Sequence, residues 1–244
     1  MGSVLGDSYH TYVENLRLVV LFSIPFIIAF AIPLLAPLPT YVSAGAIFLR
    51  TASIFVNLSA ASLAIITIAL VISLLFISFA FVAISLIVKS RKTHMRIGRR
   101  VLADIERYIG RVFIVLLAYA VILIAANIIG YYMNQEALVT SLVGFILFAL
   151  IFYAPSAIVV DSRRVLRALG DSARLLFNSP QYFIIWILLF WVVVSAVDLA
   201  VILITSGAAW AAYITLVITS VFIIPYFVIF QAEAYMRRFP LLSH

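Results

Sequence analysis

The sequence predicts an all-α membrane bundle, six transmembrane helices with amphipathic helices on the cytoplasmic surface, forming one transmembrane domain over residues 1–244. Three observations predict it. Of the 244 residues, 66% are apolar and 10% charged, whereas roughly a quarter of the residues in a globular domain are charged. Apolar runs of about twenty residues, each long enough to cross a hydrocarbon core about 30 Å thick, recur between Leu18 and Phe230. The 16 Lys and Arg residues gather in a few polar islands between those runs.

At the start of the chain, Leu5, Tyr9, Tyr12, Val13 and Leu16 fall at helical spacing with Asp7 and Glu14 between them, the pattern of a short interfacial helix that enters the membrane at Arg17. The flank MGSVLGDSYHTYVEN is acidic or neutral and no small-residue cleavage pattern follows, so the first apolar run is expected to be retained. The predicted spans are about residues 18–38, 55–88, 112–133, 137–160, 182–205 and 209–230. Pro25 and Pro33 should kink the first unless neighbouring groups satisfy the freed carbonyls. A helix over residues 55–88 would be about 50 Å long, so it must protrude and be preceded by a separate interfacial segment near residues 43–53. The connections at 134–136 and 206–207 are short, which makes antiparallel hairpins of the spans they join.

Two islands interrupt the apolar sequence. In residues 90–111 an apolar stripe through Ile97, Val101, Ile105, Tyr108 and Val112 is mostly avoided by Arg96, Arg99, Arg100, Arg107 and Arg111. In residues 161–181, Val165, Leu166, Leu169, Ala173, Leu176 and Phe177 fall at helical spacing beside Arg163, Arg164, Arg167 and Arg174, as in a helix lying on a charged membrane surface. The motif RRVL occurs in both, at 99–102 and 163–166, and LGDS occurs at 5–8 and 169–172. These echoes suggest three helix-plus-hairpin units starting near residues 3, 96 and 162. Arg17, both islands, Arg237 and Arg238 lie on one side under six crossings, and only Arg50 on the other. The positive-inside rule then puts both termini in the cytoplasm, in a multi-pass plasma-membrane protein.

Within the spans the polar residues carry the information, since an ionised carboxylate at mid-bilayer costs about 2.5 kcal/mol or more. Asp198 is the acidic residue well inside a span, in the outer half of the fifth helix. It is a candidate proton or cation ligand, or part of a polar path; the structural alternative is a pairing such as one with Arg50. Asn57 and Asn127 are further polar candidates, of interest if they converge on Asp198, while the many Ser and Thr residues read as inter-helix packing. Pro155 and Pro225 sit inside the fourth and sixth helices as candidate hinges. Arg99, Arg100, Arg107, Arg163, Arg164, Arg167 and Arg174 form a candidate surface for anionic headgroups or a partner.

Enzyme signatures are scarce. The chain has no cysteine, and His10, His94 and His244 stand alone with no carboxylate or histidine at a metal-ligand interval. Nucleophile-elbow and phosphate-loop motifs do not occur, so no catalytic residue, metal or cofactor is expected. Few aromatics interleave with the basic residues, which leaves single-strand nucleic-acid stacking unsupported.

The stretch FYAPSAIVVD at 152–161 followed by RALGDS at 167–172 resembles the six-helix YciC-type prokaryotic proteins and the membrane domains fused to some glycerophosphodiester phosphodiesterases. That resemblance implies architecture; the phosphodiesterase domain itself has no counterpart here. RALGDSARLL between spans is similar to the coupling helix of ABC permeases, without that motif's Glu and Leu-Pro. In layout the chain is also similar to CedA-type membrane components of archaeal DNA import. The expected function is a non-enzymatic membrane subunit of a transport or translocation machine, of which DNA import with a cytoplasmic ATPase is one form. The rival is a lipid-binding or lipid-metabolism protein whose groove holds an acyl chain. Membrane lipids are the expected partners in either case, with nucleic acid a partner only in a DNA-translocating apparatus.

Overall fold

The computed structural model describes residues 2–35, 40–43, 46–49, 60–93, 99–206, 208 and 210–238. Asn57 and Arg50 lie outside them. The described chain is helical apart from one antiparallel ribbon, β1 (Thr40–Ser43) paired with β2 (Ala46–Leu49), which occupies part of the region expected to be interfacial.

The N-terminal helix α1 (Gly2–Glu14) meets α2 (Leu16–Leu35) at 90°, and the stripe read from its spacing is not the face it docks with. Its buried face is Val4, Ser8 and Thr11, packed on the last helix, while Tyr9, His10 and Val13 face outward. The α2 helix runs through both Pro25 and Pro33 without a break. Next come α3 (Ala60–Thr93) and α4 (Arg99–Tyr132), each of 34 residues and so about 50 Å long. Here the structure corrects the sequence: residues 99–111 are not a separate surface helix but the first turns of α4. Gly110 is no barrier to helix continuation, and the buried stripe Ile105, Tyr108, Val112, Val115 carries the helix straight into its span.

The fourth span is divided into α5 (Glu136–Ile151) and α6 (Ala154–Val160). After it α7 (Val165–Asn178) carries the second island, followed by α8 (Pro180–Ile204). The chain closes with α9 (Ala211–Ile218), a π-helical turn (Thr219–Ile223) and α10 (Ile224–Arg238). A proline lies just inside α6 and α8, at Pro155 and Pro180, where a missing N–H costs least, whereas Pro225 sits within the continuous last span. Before Pro225 the π turn widens the helix, which relieves the clash a proline ring makes with the preceding turn. By length and composition five helical segments can cross a membrane, and the bent α1–α2 pair brings the number to six. This is the architecture of a multi-pass membrane protein.

Packing is concentrated at the end of the bundle that carries the basic islands. All seven residues of α6 are buried, as is every residue from Phe227 to Met236 of α10 and from Val82 to Val88 of α3. The opposite end is loosely packed. Large apolar side chains such as Leu63, Ile68, Val121 and Ile204 are exposed there, an arrangement suited to contact with acyl chains.

The predicted stripe of α7 splits in two. Ala168, Ser172 and Leu175 are buried, with Val165, Leu169 and Leu176 half-buried beside them, whereas Leu166 and Phe177 are 83% and 76% exposed. At 100° per residue those two and Ala173 form a second stripe, flanked by the exposed Arg167 and Arg174. One face docks α7 on the bundle and the other suits the headgroup boundary.

Because the chain lacks cysteine, topology is open to a direct test. In sealed vesicles, an impermeant thiol reagent should label N134C, in the α4–α5 connection, and G170C, on α7, from opposite faces of the membrane. Labelling of both from one face would refute the hairpin arrangement.

Candidate functional site

The break between α5 and α6 is the origin of the most distinctive local chemistry. A helix interrupted inside lipid exposes backbone groups that water cannot reach, and each must find a partner in the protein. The Ser172 hydroxyl on α7 donates to the Leu150 carbonyl at 2.7 Å and accepts from the Tyr153 N–H at 2.9 Å, spanning the break with one side chain. From α10 the Gln231 amide donates to the Phe152 carbonyl. Below, Lys89 Nζ donates to the Val159 carbonyl at 2.8 Å and Arg111 to the Ser162 and Arg163 carbonyls, both at 3.1 Å. Cations at the C-terminal end of α6 also oppose its dipole. Ser162 itself adopts a left-handed conformation (φ 56°), and its hydroxyl lies 2.5 Å from the Tyr108 hydroxyl.

Two further polar links tie down the basic end. Tyr235 donates to Asp161 at 2.8 Å, and Arg163 lies 3.3 Å from Asp171 and 3.8 Å from Asp161. Arg91 pairs with Glu14 at 3.1 Å and donates to Thr11, which donates in turn to the buried Glu233 at 3.0 Å. These bonds fix α1 across the ends of α3 and α10. Burial raises the phenol of Tyr12, on the same helix, above its ordinary value.

Above this polar layer lies an apolar cavity of about 300 Å³, the lower end of the range for ligand pockets. All the membrane-length segments contribute to it: Phe26 and Phe30 from α2, Phe81 from α3, Leu116 and Tyr119 from α4, Phe148 from α5, Trp186 and Phe190 from α8, and Phe227 from α10. Its floor is formed by Phe152, Pro155 and Gln231 at the helix break. Counted along the helices, it lies roughly 10–20 Å from the basic end, near the middle of a bilayer. The wall toward α8 is a lattice of rings. Phe152 meets Phe183 and Trp186 edge to face at 4.9 and 5.0 Å, Trp186 stacks on Phe190 at 5.0 Å, and the Trp186 indole donates to the Phe227 carbonyl at 2.9 Å. Such a wall is preformed and rigid. Since Gln231 spends its amide on Phe152, the cavity surface stays almost wholly apolar.

The residues singled out from sequence are not brought together. Asn127 is buried and donates to Glu136 and Thr140 at 2.9 and 3.2 Å, which makes it a staple of the α4–α5 hairpin. Asp198 is half-buried on α8, and no hydrogen bond or ion pair to it exists among the described residues. Pro155 lies at the break on the cavity floor, and Pro225 follows the π turn. Arg107, Arg164, Arg167 and Arg174 are exposed, whereas Arg163 is engaged with Asp161 and Asp171 and is not free to take a headgroup. Arg99 and Arg100 open α4. Among the described residues, no cluster of three or more His, Cys, Asp or Glu side chains could hold a metal. The cavity residues escaped sequence reading, although Phe148 with Phe152 and Trp186 with Phe190, at i, i+4 spacing on two helices, are a signal that could have found them.

Comparison with protein-family models, with characterised proteins and with solved structures gives no match for this chain.

Replacing Ser172 with Ala leaves a buried N–H and a buried carbonyl without their shared partner. This should cost about 1–3 kcal/mol and lower the unfolding temperature in detergent. Arg174→Ala, on the exposed face, should move stability by no more than about 0.5 kcal/mol. Equal shifts for the two variants would contradict the assignment of Ser172 as the bridge across the break.

Proposed function

We propose that this chain is a lipid-handling multi-pass membrane protein that takes a lipid acyl chain into its intramembrane cavity. The observation that carries the reading is the aromatic-walled, apolar space at the centre of the described bundle, at the depth where acyl chains lie. A polar or ionic cargo would find no partners on that surface, whereas a hydrocarbon chain is matched to it in depth and polarity. The tightly packed basic half beneath the cavity closes the path toward the islands, so the acyl chain enters from the loosely packed half. The exposed Arg164, Arg167 and Arg174 beside Leu166 and Phe177 suit an anionic headgroup layer, each near-surface cation contributing on the order of 1 kcal/mol.

In this reading the bundle crosses a prokaryotic plasma membrane six times with both termini and the basic islands in the cytoplasm, as the distribution of Lys and Arg favours. The unit of an amphipathic helix and a hairpin recurs in α1 with α2 and α3, and in α7 with α8 and α9–α10. In the middle unit the corresponding surface helix is merged into α4. A second reading, a translocation subunit with a cytoplasmic ATPase docked on α7, is favoured by the outward charge of that helix. Its DNA-importing form shares this support.

The acyl-chain reading is tested by filling the space. Leu116→Trp places an indole in the cavity, and lipid retained through purification, measured by native mass spectrometry, should fall about tenfold. Val121→Trp, on the exposed face of α4, should leave it unchanged. Retention unaltered by Leu116→Trp would set the lipid reading aside.

A further inference from the structure

The helix α8 is attached to the bundle on a narrow strip. Of its 25 residues only Phe183, Val194 and Val201 are buried. Beside that strip runs a face on which Ile184, Leu188, Trp191, Ser195, Asp198 and Ile202 fall within about 40° of one direction at 100° per residue. Trp191 is 68% exposed, Ser195 is exposed and Asp198 half-buried. Neither Ser195 nor Asp198 has a hydrogen bond or ion pair among the described residues, and Ser195 does not turn back on its own helix as Ser8, Ser23 and Ser78 do. Asp198 lies six residues before the end of α8, about 9 Å along the axis, too far for a short side chain to reach water from within the span. A hydroxyl and a carboxyl group left bare in hydrocarbon are expensive, and inter-helix hydrogen bonding is the ordinary remedy.

The pair selects its own partner. Ser195 supplies a donor and Asp198 an acceptor, three residues and about 4.5 Å apart along one helix. A two-fold axis along the membrane normal would set two α8 helices parallel with equal residues at equal depth. Across the usual 8–10 Å between helix axes, each hydroxyl then reaches the other copy's carboxyl group. We propose that α8 forms the interface of a two-fold homodimer in the membrane, Ser195 of each copy donating to Asp198 of the other. The flanking Trp191 and Ile202 cover the polar pair and exclude lipid, and the interface is isologous, so it closes at two copies. The arrangement does not depend on the cavity's occupant.

The cysteine-free chain allows a clean test. In native membranes, I202C should form a covalent dimer of twice the chain mass with a short thiol crosslinker, whereas V121C, exposed on α4, should remain monomeric. Adding Asp198→Leu to I202C should reduce the dimer about tenfold, and Asp198→Asn, which can still accept, should retain it. Because Asp198 makes no hydrogen bond or ion pair among the described residues, its replacement removes no polar link within the monomer, and size-exclusion of the variant in detergent checks that it stays folded. The proposal is overturned by a monomeric I202C, by equal crosslinking of I202C and V121C, by a product of other than twice the chain mass, or by a dimer indifferent to Asp198→Leu.

Discussion

The need to satisfy a broken backbone inside hydrocarbon organises this fold. The fourth span stops at Ile151 and restarts at Ala154, and the groups freed at that break and at the C-terminal end of α6 are met by four different elements. Ser172 of α7 bridges Leu150 and Tyr153, Gln231 of α10 takes Phe152, Lys89 of α3 takes Val159, and Arg111 of α4 closes the turn at Ser162. No two of these partners are on the same helix. The two ends of this short segment therefore converge four elements on α6, and complete burial of α6 is the packing consequence.

Cavity and break are two aspects of one arrangement. Continuing α5 through Pro155 would leave the Ile151 carbonyl facing a proline nitrogen with no N–H and would redirect Phe152, which forms the floor of the space above. Because Gln231 is occupied with Phe152, the cavity presents hydrocarbon and ring faces rather than an amide. A polar group pointing inward would recruit water and weaken binding of an apolar chain. The polar layer on the basic side and the apolar chamber above it are thus complementary: the first holds the hydrogen bonds to the break and to the end of α6, and the second is lined almost wholly by apolar surface.

Elements that depend on local pattern were legible in the sequence, and those that depend on long-range satisfaction were not. The apolar runs located the membrane-length helices, and the spacing of Val165, Leu169 and Leu176 located α7, whereas the stripe read for the first helix, Tyr9, Val13 and Leu16, is exposed and the bend falls at Asn15. Pattern failed where packing overrode it. Residues 99–111 read as a surface helix because their charges avoid one stripe, yet that stripe is continuous in phase with the span beyond and the helix never breaks. Likewise Leu166 and Phe177 seemed to belong with Val165 and Leu169, and only docking on the bundle shows which angular half of the stripe is buried. Ser172 and Gln231 gave no local sign, since a lone Ser or Gln within a helix is ordinary and its partner is 22 or 79 residues away. Asn127 attracted notice for rarity and turned out to close a hairpin 9 residues on.

Stability is then unevenly distributed, and the unevenness bears on function. At the basic end buried side chains, ion pairs and the stapled α6 leave little room for local opening, whereas α8 and α9 touch the bundle on few residues. Motions of low cost are drawn from such sparsely packed elements. On the acyl-chain reading, a chain moving into the cavity parts a pair of helices, and α8 keeps only three of its residues buried. Its ring lattice anchors it near Trp186, and its far half is free of buried contacts apart from Val194 and Val201. The helix is thus held near Trp186 by the ring lattice and in its far half by Val194 and Val201. In the proposed dimer, a second copy seated against Ser195 and Asp198 would cover the sparsely packed side of α8.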